Sequence, residues 1–386
     1  MQVELLLTNG QVVDPATGTI CEADVAIDGG RIAKVVERGE HGISASQQID
    51  LGGKIVCPAL VDCHVHAFNR ISPSSLDPDS IGVDQGVLVV GDAGSFGPAN
   101  AEGFKRYIVD AAKTDVRGFV HIARNGNSSN PGESAIASHL SVEDVVKVVE
   151  KNRDWICGVK VRASVTAVGP SDMLPVVMAK KAATEAGVPL MVHIGNAPPV
   201  LDGVLDLLTE GDIATHCYHG KIGGIVTRQG ELLPAVQRAL ERGVLFDIGH
   251  GSGSFAFGVA EQALALGMPL GMVSTDLHKR NINGPVYSHV WTMTKVLNLG
   301  CDLADVVLAS STRPAQAMNL GERYGSLAEG APANLSVIEV LDRVMTMTDS
   351  FRGTRQSKQV IAAVATIQDG TYQPVADAGL PDSRGV

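Results

Sequence analysis

The sequence has few aromatic residues, no cluster of basic residues and no long apolar run. Only 4% of its 386 residues are aromatic, whereas 43 are glycine. This composition predicts many short turns and a core of small aliphatic side chains. The formal net charge of −11 argues against a nucleic-acid or anionic-membrane partner. No apolar run reaches the roughly 18 residues that a membrane helix needs.

Cysteine is also used in a way that excludes some classes of protein. The six cysteines show no CxxC spacing, so we expect neither a disulfide framework nor an all-cysteine zinc site. The N-terminal stretch MQVELLLTNGQVV lacks the basic segment and the long apolar segment of a signal peptide. These features predict a cytoplasmic protein. They leave the oligomeric state open, with a homo-oligomer as one option.

Apolar runs rich in β-branched residues alternate with helix-like stretches through the middle of the chain. This alternation predicts repeated βα units, whose helices include residues 141–154 and 231–243. Polar residues occur at the end of every run, which favours a (β/α)8 barrel over a doubly wound open sheet, because such barrels carry their chemistry there. The eight candidate strands are residues 55–66, 86–95, 117–124, 156–164, 189–196, 213–220, 245–252 and 271–278.

The two ends of the chain have the texture of a hairpin-rich sheet. The pairs Asn9-Gly10 and Gly29-Gly30 are strong turn signals, and short alternating strands return after residue 320. We therefore expect the α/β class, with a distorted (β/α)8 TIM barrel over residues 55–320. A small β-sandwich domain would be built from residues 1–54 and 321–386.

Two histidines at the end of the first candidate strand suggest a metal site. His64 and His66, in IVCPALVDCHVH, are two residues apart, so both imidazoles leave one face of the strand. Neutral imidazole is a common zinc ligand. With the ligand candidates at later strand ends, the pattern predicts a centre for two divalent metal ions, zinc being the expected metal. These further candidates are Lys160, His193, His216 and Asp276.

The order His-x-His, Lys, His, His, Asp over successive strand ends resembles the amidohydrolase superfamily. CPALVDCHVH is similar to the G-x-[IV]-D-x-H-x-H opening of that family. THCYHGK, FDIGHGSGSFAF and STDLH resemble its deacetylases and dihydroorotase-like metallohydrolases, and the resemblance covers nearly the whole chain. GAPANLSV departs from the usual G-x-x-A-D-[LI], since Asn334 replaces aspartate, but this position belongs to the terminal β-domain.

The resemblance implies that Lys160 is carboxylated. A protonated ammonium has no acceptor for a cation, so the lysine would bind metal as a carbamate formed with CO2. A hydroxide would bridge the two metals, and Asp276 would take its proton and pass it to the leaving group. The resemblance also divides the ligands: His64, His66, the carbamate and Asp276 for the more buried metal, and the carbamate, His193 and His216 for the second.

Eight further polar residues are weaker candidates for substrate contacts. Arg162 shares a strand face with Lys160, and either it or Arg124 could pair with a substrate carboxylate in bidentate geometry. A structural ion pair is the alternative for each arginine. The remaining candidates are Tyr218, His219, His250, His278, Lys279 and Arg280.

The function that the resemblance favours is metal-dependent hydrolysis of an amide or ester. The substrate would be a small carboxylate-bearing molecule from which an acyl group such as acetyl is removed, through a metal-bridging hydroxide. Hydrolysis of a cyclic amide, in the manner of a dihydroorotase, needs the same metals and stays open. Less favoured are a non-catalytic scaffold related to hydantoinases, which lacks part of the ligand set, and a deaminase, which in this superfamily usually lacks the strand 4 lysine.

Overall fold

The computed structural model describes residues 1–39, 42–129 and 132–383. In these ranges most strands belong to two large sheets, one of eight strands and one of seven. The strands are β1 (Gln2–Asp14), β2 (Thr19–Asp28), β3 (Arg31–Glu37), β4 (Ser44–Asp50), β5 (Ile55–Pro58), β6 (Leu60–Val65), β7 (Val87–Ala93), β8 (Asp115–His121), β9 (Ile156–Ala163), β10 (Leu190–Ile194), β11 (Ile213–Thr215), β12 (Leu245–Asp247), β13 (Leu335–Asp342), β14 (Thr346–Thr348), β15 (Thr354–Gln356), β16 (Gln359–Gln368) and β17 (Thr371–Pro374).

Helices follow most of the strands of the seven-stranded sheet. One of them begins where the sequence predicts, after Ser141, whose hydroxyl accepts a hydrogen bond from the Asp144 amide at 3.1 Å. Another starts at Pro234 rather than at residue 231, since proline suits the first helical turn. The helices are α1 (Pro78–Ile81), α2 (Ala101–Phe104), α3 (Val142–Lys151), α4 (Val165–Val168), α5 (Leu174–Ala186), α6 (Leu201–Leu207), α7 (Pro234–Glu241), α8 (Phe257–Ala265), α9 (His289–Asn298), α10 (Leu303–Ala309) and α11 (Thr312–Ala317).

The seven-stranded sheet is the wall of a barrel. Its parallel strands lie in the order β12-β11-β10-β9-β8-β7-β6. The predicted eighth strand, 271–278, closes the ring through isolated bridges, from Met272 to β12 and from Leu277 to β6. It is not a continuous strand, because Asp276 has a φ of 50°, outside the extended region. The predicted barrel is confirmed, with its last strand reduced to these bridges.

The first predicted strand, 55–66, is in fact two strands. β5 pairs with β1 and β13, whereas β6 enters the barrel beside β7. The break lies at Ala59, whose amide donates to the Asn334 carbonyl at 3.1 Å. Pro58, which has no amide hydrogen, ends the first strand. The chain therefore passes from the terminal sheet into the barrel within one residue.

The eight-stranded terminal sheet contains strands from both ends of the chain. Its order is β17-β16-β13-β5-β1-β2-β3, with β4 paired to β1. β13 runs antiparallel to β5, with Leu335 opposite Pro58 and Ile338 opposite Ile55. Apolar side chains of both ends pack in a cluster of their own, separate from the main core. The N-terminal and C-terminal segments thus complete one sheet.

A search of the described ranges for a membrane-crossing helix gave no candidate of sufficient length and apolar character.

Candidate active site

The carboxyl ends of the barrel strands surround one polar cavity of about 250 Å³. Parallel strands direct their ends to the same face of the barrel, so side chains distant in sequence meet there. The cavity is lined by all of the predicted metal ligands: His64, His66, Lys160, His193, His216 and Asp276.

Three of these side chains form a compact donor cluster. The Asp276 Oδ1 atom lies 3.1 Å from His66 Nε2 and 3.7 Å from His64 Nε2. One donor atom from each residue lies within 4.8 Å of those of the other two. A nitrogen-and-oxygen donor set at this spacing is what a divalent metal such as zinc requires.

Hydrogen bonds fix the tautomer of His64. The Thr215 hydroxyl donates to Asp247 Oδ2 at 2.6 Å, so it must accept from His64 Nδ1, 2.8 Å away. With its hydrogen on Nδ1, the ring leaves a free lone pair on Nε2, the atom that faces Asp276. A second contact that orients a histidine in this way is common around metal sites.

His216 is held in the same tautomer by the backbone. Its Nδ1 donates to the Gly249 carbonyl at 2.6 Å. Its buried Nε2 has no hydrogen-bond partner among the described residues, and its ring centroid lies 4.2 Å from that of His193. A buried acceptor without a partner is costly, and a metal ion would satisfy it. The donor set therefore fits a metal at this position too.

Three of the histidines are held in the neutral form, which is the form that can bind a metal. Burial lowers the pKa values of His64, His193 and His216 well below the ordinary value for histidine. For Asp276 burial opposes ionisation, but the hydrogen bond from His66 outweighs it. The pKa of Asp276 is held well below its usual range, and the carboxyl is ionised at neutral pH.

Lys160 is 1% exposed and points into the same cluster. Its Nζ lies 3.3 Å from His64 Nε2 and 3.4 Å from Met191 Sδ. Burial lowers the pKa of this amine to about 7. A substantial fraction is therefore unprotonated near neutral pH, which is the form that can react with CO2.

Backbone geometry at the strand ends brings these groups close together. His216 and Asp276 both have positive φ, 76° and 50°, a conformation that costs free energy and is often found at functional sites. The loop after β12 passes directly over them. A Cβ on Gly249 would lie 2.7 Å from His216 Nδ1, and a Cβ on Gly251 would lie 2.5 Å from Asp276 Oδ2. Only glycine permits this approach.

Three of the weaker substrate candidates also line the cavity: Arg162, His278 and Arg280. Arg162 is engaged in an ion pair, with Nη1 3.0 Å from Glu133 Oε1. His278 donates from Nδ1 to the Asp276 carbonyl at 2.7 Å. Of these candidates, only Arg280 has an exposed charged group at the cavity rim.

The other five lie outside the cavity lining: Arg124, Tyr218, His219, His250 and Lys279. Arg124 and Lys279 are exposed elsewhere, Tyr218 packs near Phe255, and His219 is buried. His250 accepts a hydrogen bond from the buried Lys295 at 2.7 Å. Tyr218, His219 and His250 miss the cavity because β11 ends at Thr215 and β12 at Asp247, so the alternation of strand faces no longer applies beyond them. Arg124 likewise lies beyond the end of β8 at His121.

Several lining residues did not stand out in the sequence. Ser252 and Ser254 belong to the glycine-rich loop GHGSGS, whose composition was the available signal. Lys221 directly follows the THCYHG segment, and Asn127 and Ser74 lie in loops without a pattern that could have identified them.

Comparisons with known proteins agree with this geometry. The model of the amidohydrolase family matches residues 233–370. A deacetylase of Enterococcus faecalis is 37% identical over 374 residues, which cover 96% of this chain and 99% of that protein. A deacetylase of Agrobacterium fabrum is 34% identical over 354 residues, covering 91% of this chain and 86% of its own length.

Two solved structures are similar over nearly the whole fold. One, described as an adenine deaminase, has a TM-score of 0.89 and 36% identity, covering 96% of this chain and all 100% of that chain. The other, described as a dihydroorotase, has a TM-score of 0.88 and 31% identity, covering 96% and 97%. The similarity therefore includes both the barrel and the terminal sheet.

Proposed function

Because this chain belongs to the amidohydrolase family, we propose that it is a metal-dependent hydrolase that removes an acyl group from a small, carboxylate-bearing amide or ester. The observation that carries the proposal is the set of nitrogen and oxygen donors that converge on one cavity, with the tautomers of His64 and His216 fixed by Thr215 and Gly249. The deacetylases that match over most of their length support the removal of an acyl group.

The site would hold two divalent metal ions, with zinc the best match to the donors. Bound there, they would polarise the scissile carbonyl and lower the pKa of an attacking water. His64, His66 and Asp276 would hold one metal, and His193 and His216 the other. Lys160, as its carbamate, would supply an oxygen to each.

The residues of the chain have separate tasks in this reaction. Asp276, ionised and close to the donor cluster, would take a proton from the attacking water and deliver it to the leaving group. Thr215 and Gly249 would keep His64 and His216 in the metal-binding tautomer. His278 would hold the backbone of Asp276 through its carbonyl.

Hydrolysis of a cyclic amide is the second candidate. It is favoured by the similarity to a solved structure described as a dihydroorotase, and the same donors would serve it. A deaminase is the third, given the structure described as an adenine deaminase, but Lys160 in the cluster argues for a site with two metals.

A product assay separates these three reactions. Zinc-loaded protein should be incubated with N-acyl amino acids, O-acyl hydroxy acids, cyclic amides and adenine, with the Asp276→Asn variant as control. We expect release of acetate or another acid from the acyl substrates. Ring opening would instead support the cyclic-amide reaction, and release of ammonia from adenine would support deamination.

A further inference from the structure

The charged groups that line the cavity are mostly positive. Besides the predicted metal ligands, its wall contains the basic residues Arg162, Lys221 and Arg280. The acidic residue of the lining is Asp276, which is one of those predicted ligands. Divalent metals would add to this excess of positive charge. A substrate with an anionic group is therefore favoured over a neutral one.

Arg162 is a poor candidate for binding that anion, because it is already paired. Glu133, its partner at 3.0 Å, has a fully buried side chain, and the Arg162 side chain is only 19% exposed. Breaking a buried ion pair leaves an uncompensated charge behind. The charge of Arg162 is therefore largely balanced by Glu133.

Lys221 is in the opposite situation. Its side chain is half-buried at the cavity wall, and no carboxylate of the described ranges forms an ion pair with its ammonium. Its amide donates to Nδ1 of the buried His219 at 3.2 Å, which fixes the start of the loop after β11. The pKa of Lys221 lies below its ordinary value because burial lowers it by more than the nearby Asp276 raises it. A partly desolvated cation without a partner gains most from an anionic ligand.

We infer that the Lys221 ammonium binds the carboxylate of the substrate and sets the preference of the cavity for anionic over neutral substrates. This assignment rests on the proposed function. Arg280 is more exposed, so solvent and salt weaken its pull on the same group. Lys221 is thus the specificity-determining cation.

The test compares two substrates that differ in one group. One is an N-acetyl amino acid, and the other is the acetamide in which a methyl group replaces the carboxylate. For Lys221→Met we expect KM for the acid to rise about 10- to 100-fold, the scale of one charge-assisted hydrogen bond. Its kcat and the kinetics of the neutral acetamide should change little. Lys221→Arg should retain most of the preference.

Arg280→Met is the matched control at the same cavity. It should raise KM for the acid by less than about threefold at physiological salt. An equal KM increase for both substrates in Lys221→Met, or a larger effect from Arg280→Met, would overturn the assignment. Circular dichroism of both variants checks that the fold is retained.

A binding measurement separates this assignment from the proposed reaction. Calorimetry on the zinc-loaded protein uses 3-phenylpropionate and the neutral 3-phenylpropanol, neither of which has a bond to hydrolyse. Wild type should bind the acid about 10- to 100-fold more tightly than Lys221→Met does, whereas the two proteins should bind the alcohol equally. If the acid binds in this way but none of the acyl substrates is hydrolysed, the result would support the role of Lys221 and refute the proposed reaction. Equal binding of the acid to wild type and to Lys221→Met would refute the role of Lys221 as the site for the substrate carboxylate.

Discussion

Asp276 combines a strained backbone, a position beside two histidines and an ionised carboxyl. In Asp276→Asn one oxygen that could bind metal and the side-chain shape are kept, but the proposed proton acceptor is lost. We expect metal content to change little while kcat falls by at least about 10²-fold. The loss should be smaller for an ester with a good leaving group than for an amide, since that ester needs little proton delivery. Equal losses for the two substrates would show that Asp276 only holds metal.

Substitution of Lys160 tests the proposal that this lysine carries a carbamate. Lys160→Ala removes the group that would bridge the two metals, so we expect both metal content and activity to be lost. Acetate or formate in the buffer should restore part of each, because a free carboxylate can occupy the vacated position. Full activity in the alanine variant, measured alongside elemental analysis, would assign the lysine a structural role.

Some side-chain positions could be predicted from the sequence and others could not. His64, Lys160 and His193 lie within regular strands, where two-residue alternation decides which face a side chain occupies. His250 lies beyond the end of its strand, and its orientation depends on Lys295, 45 residues further along the chain. The pairing of Arg162 with Glu133 likewise joins a strand to an irregular loop. No local pattern contains such contacts.

The loop after β12 is held in place by a buried lysine of α9. The Lys295 Nζ donates to His250 Nε2 at 2.7 Å, to the Pro285 carbonyl at 2.7 Å and to the Thr348 carbonyl at 2.8 Å. These acceptors match the three hydrogens of an ammonium. The lysine therefore ties the glycine-rich loop to two other segments, one of which is β14.

Lys295→Met should be strongly destabilising, because it leaves three buried acceptors without a donor. We expect the free energy of unfolding to fall by about 3–5 kcal/mol, measured by urea denaturation. Lys279→Met, at an exposed position, is the matched control and should change it by less than about 0.5 kcal/mol. Similar stabilities for the two variants would contradict the anchoring role of Lys295.

The order of the barrel elements followed from sequence periodicity, but their ends did not. Alternating strand and helix patterns identify the βα units, because each must bury one apolar face. The split at Ala59 and the interruption at Asp276 instead depend on partners elsewhere in the chain, the Asn334 carbonyl and the His64 carbonyl. Tertiary hydrogen bonds of this kind leave no periodic trace.

Metal binding should also contribute to the stability of the complete chain. The proposed ligands lie in or just after strands spread over residues 64–276, so the site would form only in the folded barrel and metal would bind the native state selectively. Elemental analysis of protein purified without chelator should approach two metals per chain. Dialysis against a chelator should lower Tm, and zinc should restore it. One metal per chain under metal-replete conditions would contradict the binuclear site.

The pairing of β5 with β13 has a consequence for synthesis on the ribosome. β5 emerges early, yet its partner β13 follows only after the entire barrel has been translated. At roughly 5–20 residues per second, the wait is on the order of 10 to 60 seconds. During that interval the buried, apolar edge of β5 is open to pairing with other nascent chains. Chains stalled before β13 should therefore bind chaperones or aggregate, whereas chains released after β17 should not.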